Sequence, residues 1–242
     1  MPLDPLAPAA RVRGILRDCG IQHLVCSPET LARLQQPAET GAAPFEIPLR
    51  AVLGAAPPAG GRPGSATSYL GWDEIRAAKS DRAPADNPAA GDIAYIMYTS
   101  GSTGEPKGIV HTHGSGLSYA RLAARTYGLS EADRLGNHAP LHFDQSTMEY
   151  FAGPLAGATT VIIPEIYLKM PASLSQLIEQ ERLSIWYSVP FTLIQLLLRG
   201  ALESRDLSSL RWVLFGGESL PRKFLNGLMA ALPDARFSNV YG

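Results

Sequence analysis

Cysteine is scarce in this chain: among 242 residues only Cys19 and Cys26 carry thiols. Without a Cys-x-x-Cys pair or a zinc-ligand spacing, they exclude a disulfide framework and a structural zinc site as organising elements, and they read as reduced thiols. An excess of one charge is also lacking. Lys and Arg number 21 against 22 Asp and Glu, a formal net charge of −1, so neither nucleic acid nor an anionic membrane is favoured as a partner. Long apolar runs are missing too. Val161-Ile162-Ile163 and Leu196-Leu197-Leu198 are core-sized, far short of the roughly 18 residues of a membrane span. Met1-Pro2-Leu3-Asp4 has neither the basic nor the apolar region of a secretory leader, and the cytoplasm is expected by elimination. The chain shows no internal repeat.

What is present is a globular balance. With 45% hydrophobic and 18% charged residues, the chain can bury a core and is not disordered by composition. Its length suits one large domain or two small ones. Two stretches rich in Pro, Gly and Ala, residues 54–68 and 81–91, resist regular structure and predict surface loops. Before them, Ala9 to Cys19 reads as a helix and Gln22 to Cys26 as a strand.

From Asp92 onward strands and helices alternate. The apolar runs Ile93 to Tyr98, Gly108 to His111, Thr159 to Ile163, Ile185 to Ser188, Trp212 to Phe215 and Arg236 to Val240 predict strands. Leu117, Ala120, Ala124 and Tyr127 recur at helical spacing. Ser146 to Leu155 predicts a helix that Gly157 ends, and Ser173 with Gln176 predicts a capping box. Pro190 suits a first helical turn with Gly200 at its end, and a last helix covers Pro221 to Ala231. Such alternation predicts an α/β fold with a largely parallel sheet flanked by helices.

The densest chemistry lies in Tyr98-Thr99-Ser100-Gly101-Ser102-Thr103-Gly104-Glu105-Pro106-Lys107-Gly108. Glycines let a backbone approach closely and turn its N–H groups onto oxygens. Hydroxyls donate further hydrogen bonds, and Lys107 supplies a compact positive charge. A polyphosphate needs this set; a plain polar turn does not. The P-loop alternative fails on spacing. That motif puts four residues between its first glycine and its Gly-Lys pair, whereas Lys107 follows Gly104 by three and is preceded by Pro106.

YTSGSTGEPKG resembles the signature loop of the adenylate-forming (AMP-binding) superfamily, which holds acyl-CoA synthetases, luciferases and the adenylation domains of nonribosomal peptide synthesis. Other family-like motifs follow in the same order: His142-Phe143-Asp144-Gln145-Ser146, Gly216-Gly217-Glu218 and Asn239-Val240-Tyr241-Gly242. Pro2-Leu3-Asp4-Pro5 is similar to a further family segment. The resemblance spans the chain and implies a partial AMP-binding (adenylation) large domain over residues 1–242, truncated at both ends. The family's catalytic lysine, its small C-terminal domain and its ligand for Mg²⁺ would lie beyond residue 242. Such a piece is expected to expose apolar edges and to aggregate, with little or no turnover of its own.

The resemblance also assigns roles. Thr99, Ser100, Gly101, Ser102, Thr103, Gly104 and Lys107 would hold the ATP phosphates. Gly216, Gly217, Glu218, Asn239 and Tyr241 would meet the adenine, although two glycines after a strand also suit a plain turn. Asp144 has two readings. An Asp before a helix is commonly a cap, whereas in amino-acid-activating relatives the aspartate of Phe-Asp-x-Ser pairs with the substrate ammonium. Removing one partner of such a buried pair costs roughly 3–5 kcal/mol, enough to decide substrate class.

The side-chain pocket would be lined by Gln145, Met148, Tyr187, Leu214, Gly216 and Val240, with His142 near the substrate. Plain core packing is the alternative for Met148 and Leu214. The set carries no acid for a basic side chain and implies a small or medium apolar amino acid. It resembles that of stand-alone proline-activating enzymes that load a carrier protein. His111 and His113, two apart, would share a face on a strand, but no further metal ligand clusters near them. The implied reaction is attack of an amino acid carboxylate on the α-phosphate of ATP, followed by transfer to the phosphopantetheine thiol of a carrier protein. An aryl- or acyl-CoA synthetase, with CoA as acceptor, and a nucleotide-binding remnant without turnover are the alternatives.

Overall fold

The computed structural model describes residues 1–36, 49–57, 67–78, 87–99 and 107–240. These form two compact units, one drawn from Pro2–Asn87 and Thr99–Lys107, the other from Pro88–Tyr98 and Gly108 onward.

The smaller unit contains α1 (Ala9–Asp18), β1 (His23–Val25), α2 (Pro28–Gln35), β2 (Ala51–Leu53), β3 (Ser68–Leu70) and α3 (Trp72–Ala77). Val12, Ile15 and Leu16 make the buried stripe of α1. Helix α2 starts where Ser27 Oγ accepts the Thr30 N–H, with Pro28 in the first turn. The three strands pair in parallel in the order β1-β2-β3. The loop expected to run through residue 68 ends sooner, because Ser68 already pairs with Ala51. Most of both Pro- and Gly-rich stretches lies outside the described residues.

In the larger unit β4 (Ile93–Thr99) and β5 (Lys107–Thr112) form a two-stranded sheet, their end residues Thr99 and Lys107 being counted with the smaller unit. Helix α4 (His113–Tyr127) follows directly. Thr112 Oγ1 accepts the Ser115 N–H and Ser115 Oγ accepts the Thr112 N–H, a capping box, and Gly128 ends the helix in the left-handed conformation. Next come β6 (Arg134–Asn137), a 3₁₀ turn Asp144–Ser146, a π-helical turn Met148–Ala152 and α5 (Gly153–Leu155). The chain continues through β7 (Thr159–Ile162), α6 (Pro171–Gln180), β8 (Ile185–Ser188), α7 (Pro190–Arg199), β9 (Trp212–Phe215), α8 (Arg222–Ala231) and β10 (Arg236–Asn239). Five strands pair in parallel in the order β10-β9-β8-β6-β7.

Two expected elements take other forms. The single helix expected over 146–155 is a 3₁₀ turn, a π turn and a short α-helix in succession. Helix α6 does not start at Ser173. Pro171 already occupies its first turn, and the cap position Met170 makes no side-chain bond, since proline's fixed φ and missing N–H suit that place.

The pleat divides the core. Trp186, Val213 and Phe215 point to one face, packed with Leu174, Ile178, Leu193, Leu196 and Leu228 of α6, α7 and α8. Ile185, Tyr187, Leu214 and Val240 point to the other, packed with Ala120 and Ala123 of α4 and with Met148 and Ala152 of the π turn. Among the described residues no helix is long and apolar enough to cross a membrane.

One buried ionic network fastens the strand starts. Asp133 accepts hydrogen bonds from Arg211 Nε (2.8 Å), Ser184 Oγ (2.7 Å) and the Ser130 N–H (2.8 Å). Arg211 also donates to the carbonyls of Tyr127 and Gly128 at the end of α4. Burial pushes the Asp133 carboxyl upward, but these donors and the Arg211 charge outweigh it and hold the group at about 2, against an ordinary 3.8. The folded state therefore binds this proton less readily than the unfolded chain. The resulting stability is complete above the unfolded value and drains as pH falls through about 2. Asp133→Asn should lower stability by roughly 2–3 kcal/mol at neutral pH. Denaturant melts of both proteins should converge as pH drops from neutral toward 2; a constant gap would show that the carboxylate charge is not what matters.

Candidate active site

Ligands in parallel α/β sheets gather at the carboxyl ends of the strands. Here that edge holds His138 after β6, Ser188 ending β8, Gly216 after β9 and Val240 after β10. The turn carrying Asp144 belongs to the segment that leaves the β6 end.

Side-chain bonds hold this turn. Ser146 Oγ donates to the Phe143 carbonyl (2.7 Å), and Thr147 Oγ1 to the Asp144 carbonyl (2.6 Å). Gln145 Nε2 donates to the Tyr187 carbonyl (2.8 Å), tying the turn to β8. Gln145 thus has a structural bond that its expected role beside the substrate did not include. Asp144 is exposed, and its Oδ1 accepts the adjacent Gln145 N–H (2.8 Å). Phe143 takes the cap position without a side-chain bond, and Asp144, one place further on, bonds the first turn through the Gln145 N–H.

The apolar residues named from sequence meet. Met148, Leu214, Tyr187 and Val240 pack in one cluster, with Met148 and Leu214 wholly buried, so core packing describes those two as they stand. Gly216 adjoins them. A Cβ there would lie 2.3 Å from the Val240 carbonyl oxygen and 3.2 Å from the Tyr187 hydroxyl, so glycine is the residue that fits. Gly217 has φ +85°, in the left-handed region, and Gly217 and Glu218 are exposed at the strand end. Asn239 is exposed at the end of β10. Thr99, which ends β4, and Lys107, which opens β5, are exposed. Ser100, Gly101, Ser102, Thr103, Gly104 and Tyr241 lie outside the described residues.

The histidines separate. His111 stacks on Tyr95 with ring centroids 4.6 Å apart. His113 opens α4 instead of extending β5, so the strand-face pairing expected of the two does not form. His142 tilts against Phe143. His138 accepts a hydrogen bond at Nδ1 from Trp186 Nε1 (3.3 Å), and burial lowers its pKa to about 4, so it is neutral at physiological pH. Among the described residues no three His, Cys, Asp or Glu converge as a metal site.

Sequence reading missed several residues here. Tyr119 of α4 interacts with the Thr147 hydroxyl, and both Asp144 and Glu149 act electrostatically on the Tyr119 and Tyr187 phenols. Burial, then the neighbouring Tyr119, Asp144 and Glu149, push the Tyr187 phenol well above its ordinary value. Glu149 is 2% exposed, and its carboxyl meets Asn137 Nδ2 at 3.5 Å. An acid inside the otherwise apolar stretch Met148 to Ala152 was the available signal.

A sequence model of the family described as AMP-binding enzyme matches residues 1–242. The chain belongs to the AMP-binding enzyme family. Among curated members, an L-proline–[L-prolyl-carrier protein] ligase of Pseudomonas fluorescens is 36% identical over 242 residues, covering 100% of this chain and 45% of that protein. A D-alanine–D-alanyl carrier protein ligase of Bacillus cytotoxicus is 32% identical over 148 residues, covering 61% of this chain and 29% of that protein. Among solved members, the anthranilate CoA ligase AuaEII in complex with anthranoyl-AMP superposes with a TM-score of 0.80 at 26% identity. It covers 99% of this chain and 44% of that one. The chain therefore spans less than half the length of these members.

The closeness at Gly216 is testable. Gly216→Ala must displace the Val240 carbonyl or the Tyr187 phenol and should cost about 1–3 kcal/mol, as overpacking does. A denaturant midpoint equal to wild type would show that the β9 and β10 ends yield freely.

Proposed function

We propose that this chain supplies nucleotide and substrate binding to an ATP-dependent ligase that activates an amino acid as aminoacyl-AMP for loading onto a carrier-protein thiol. The observation that carries this reading is Asp144, an exposed carboxylate on a bonded turn at the strand edge, beside an apolar wall. An ammonium group is the complement such a carboxylate lacks. The carrier-protein ligases among the relatives support the same class.

In this reading the amino acid lies with its ammonium on Asp144 and its side chain toward Gln145, Met148, Tyr187, Leu214, Gly216 and Val240, with His142 nearby. The closed packing around Gly216 and Tyr187 favours a small or medium apolar side chain, and proline is the narrowest proposal, supported by the similarity to proline ligases. Adenine would lie against Gly216, Gly217 and Glu218, between Asn239 and Tyr241. The exposed Gly217 backbone, free of a side chain, suits a flat ring. Thr99, Ser100, Gly101, Ser102, Thr103, Gly104 and Lys107 would receive the phosphates. The substrate carboxylate then attacks the α-phosphate and pyrophosphate leaves, with rate arising from alignment and charge neutralisation. Mg²⁺ would add further neutralisation of the departing pyrophosphate.

A second reading, activation of an aryl acid for transfer to CoA, has support in the anthranilate CoA ligase likeness. Acid-dependent ATP–pyrophosphate exchange by the native protein separates the two. Amino acids should drive exchange, and Asp144→Asn should raise the amino acid KM roughly 10–100-fold, the worth of one charge-assisted hydrogen bond, while the KM for ATP stays unchanged. Exchange driven equally by acids without an amino group would overturn the amino acid reading.

A further inference from the structure

The segment that carries Asp144 has little to fix it by packing. Leu141 and Phe143 on its approach are more than half exposed, and Asp144 is exposed. Its own bonds are short. Ser146 Oγ reaches the Phe143 carbonyl and Thr147 Oγ1 the Asp144 carbonyl, with Thr147 also meeting Tyr119 of α4. These set the shape of the turn without setting its place on the sheet. Met148 anchors the segment further on, in the buried cluster. Gln145 makes a bond of another kind. Its Nε2 donates to the Tyr187 carbonyl at 2.8 Å, across 42 positions of sequence.

That carbonyl is where the sheet leaves a seat open. Backbone carbonyls alternate between the two edges of a strand. The Ser184 carbonyl accepts N–H bonds from Arg211 and Trp212 on the β9 side, so the Tyr187 carbonyl, three residues on, faces the β6 side. There the pairing of β6 with β8 stops at Gly136 and Trp186, while that of β8 with β9 runs on to Ser188 and Phe215. The Gln145 amide takes the place of the departed strand. A carbonyl accepts only from the amide nitrogen, so the bond also fixes which way the amide turns. It joins the two parts of the proposed site. On one side stands Asp144, whose Oδ1 accepts the Gln145 N–H. On the other stands Tyr187, which packs with Met148 and Leu214 and whose hydroxyl borders Gly216.

We propose that Gln145 is a positioning residue: its amide bond to the Tyr187 carbonyl holds the Asp144 carboxylate at the separation from the apolar wall that an amino acid spans between its ammonium and its side chain. The inference rests on the amino acid reading of Asp144. Its physics is preorganisation. A carboxylate on a loose turn must be ordered when the ammonium arrives, and that ordering is subtracted from binding. A carboxylate already held loses little. An acid without an amine makes no use of Asp144, and so none of the brace behind it.

The test is a double-mutant cycle on the native protein, read by ATP–pyrophosphate exchange. Gln145→Met keeps the length of the side chain but cannot donate. Its KM for the amino acid should rise roughly 3–10-fold, the net effect of one neutral hydrogen bond, with the KM for ATP unchanged. In the Asp144→Asn background the same substitution should change the amino acid KM by less than about 2-fold. Inhibition of Gln145→Met by the substrate analogue lacking the amine should likewise stay within about 2-fold of wild type. A residue that only lines the pocket or supports the fold would shift both backgrounds and both ligands alike. Should Gln145→Met not fold, Gln145→Ala enters the same cycle and decides; failure of both to fold would assign Gln145 to the fold and overturn the proposal. Equal effects with and without the Asp144 carboxylate, or an equally weakened analogue, would overturn it and leave the amino acid reading intact. An amino acid KM unmoved by Asp144→Asn would overturn both.

Discussion

In a strand buried on both faces, neighbouring side chains must enter opposite cores, and this pleat governs what the larger unit can present. Trp186 and Val213 go to the α6–α8 side, so Tyr187 and Leu214 go to the α4 side. There they meet Met148 from the π turn and Val240 from beyond β10. Shifting β8 by one residue would exchange every member of this set for its neighbour. The register is secured at the strand starts by Asp133 and Arg211, which join the end of α4 to β6 and β9. The candidate site sits at the far ends of the same strands, so this network stands away from it.

At the carboxyl edge the constraint changes from packing to polar bonding. The segment after β6 leaves the sheet without regular structure until the 3₁₀ turn, and four side-chain bonds replace what a helix would have supplied. Asp144 gains a defined position without becoming buried. Four residues later the chain passes into the π turn, whose wider ladder carries Met148 and Glu149 inward. One short segment thereby offers an exposed acid, an apolar wall and a sealed acid.

Much of the fold was legible in sequence because local chemistry is strong where the chain is regular. Apolar β-branched runs located the strands, Pro190 and Gly200 bracketed α7, and Gly128 ended α4. The failures have local causes too. Ser173 and Gln176 have the spacing of a cap, but Pro171 begins the helix earlier. His111 and His113 share a face only on a continuous strand, and the capping box at Thr112 turns the chain into a helix between them. Glu149 interrupts an apolar stretch, but that alone does not say which way its side chain turns, and nothing around Tyr119 marks a phenol as adjacent to a turn 25 or more residues away.

The sequence by itself determined the alternation of strands and helices, the glycine- and hydroxyl-rich loop ending at Lys107, and the family, because these reside in residue types at short spacing. Only the tertiary structure decided that Asp144 is exposed one place past the cap position, that Gln145 is bonded to β8, that Gly216 has no room for a side chain, and that Glu149 is sealed. Each of those depends on which residues distant in the chain arrive at the same strand edge, and so on a register and a pleat that no short stretch of sequence encodes alone.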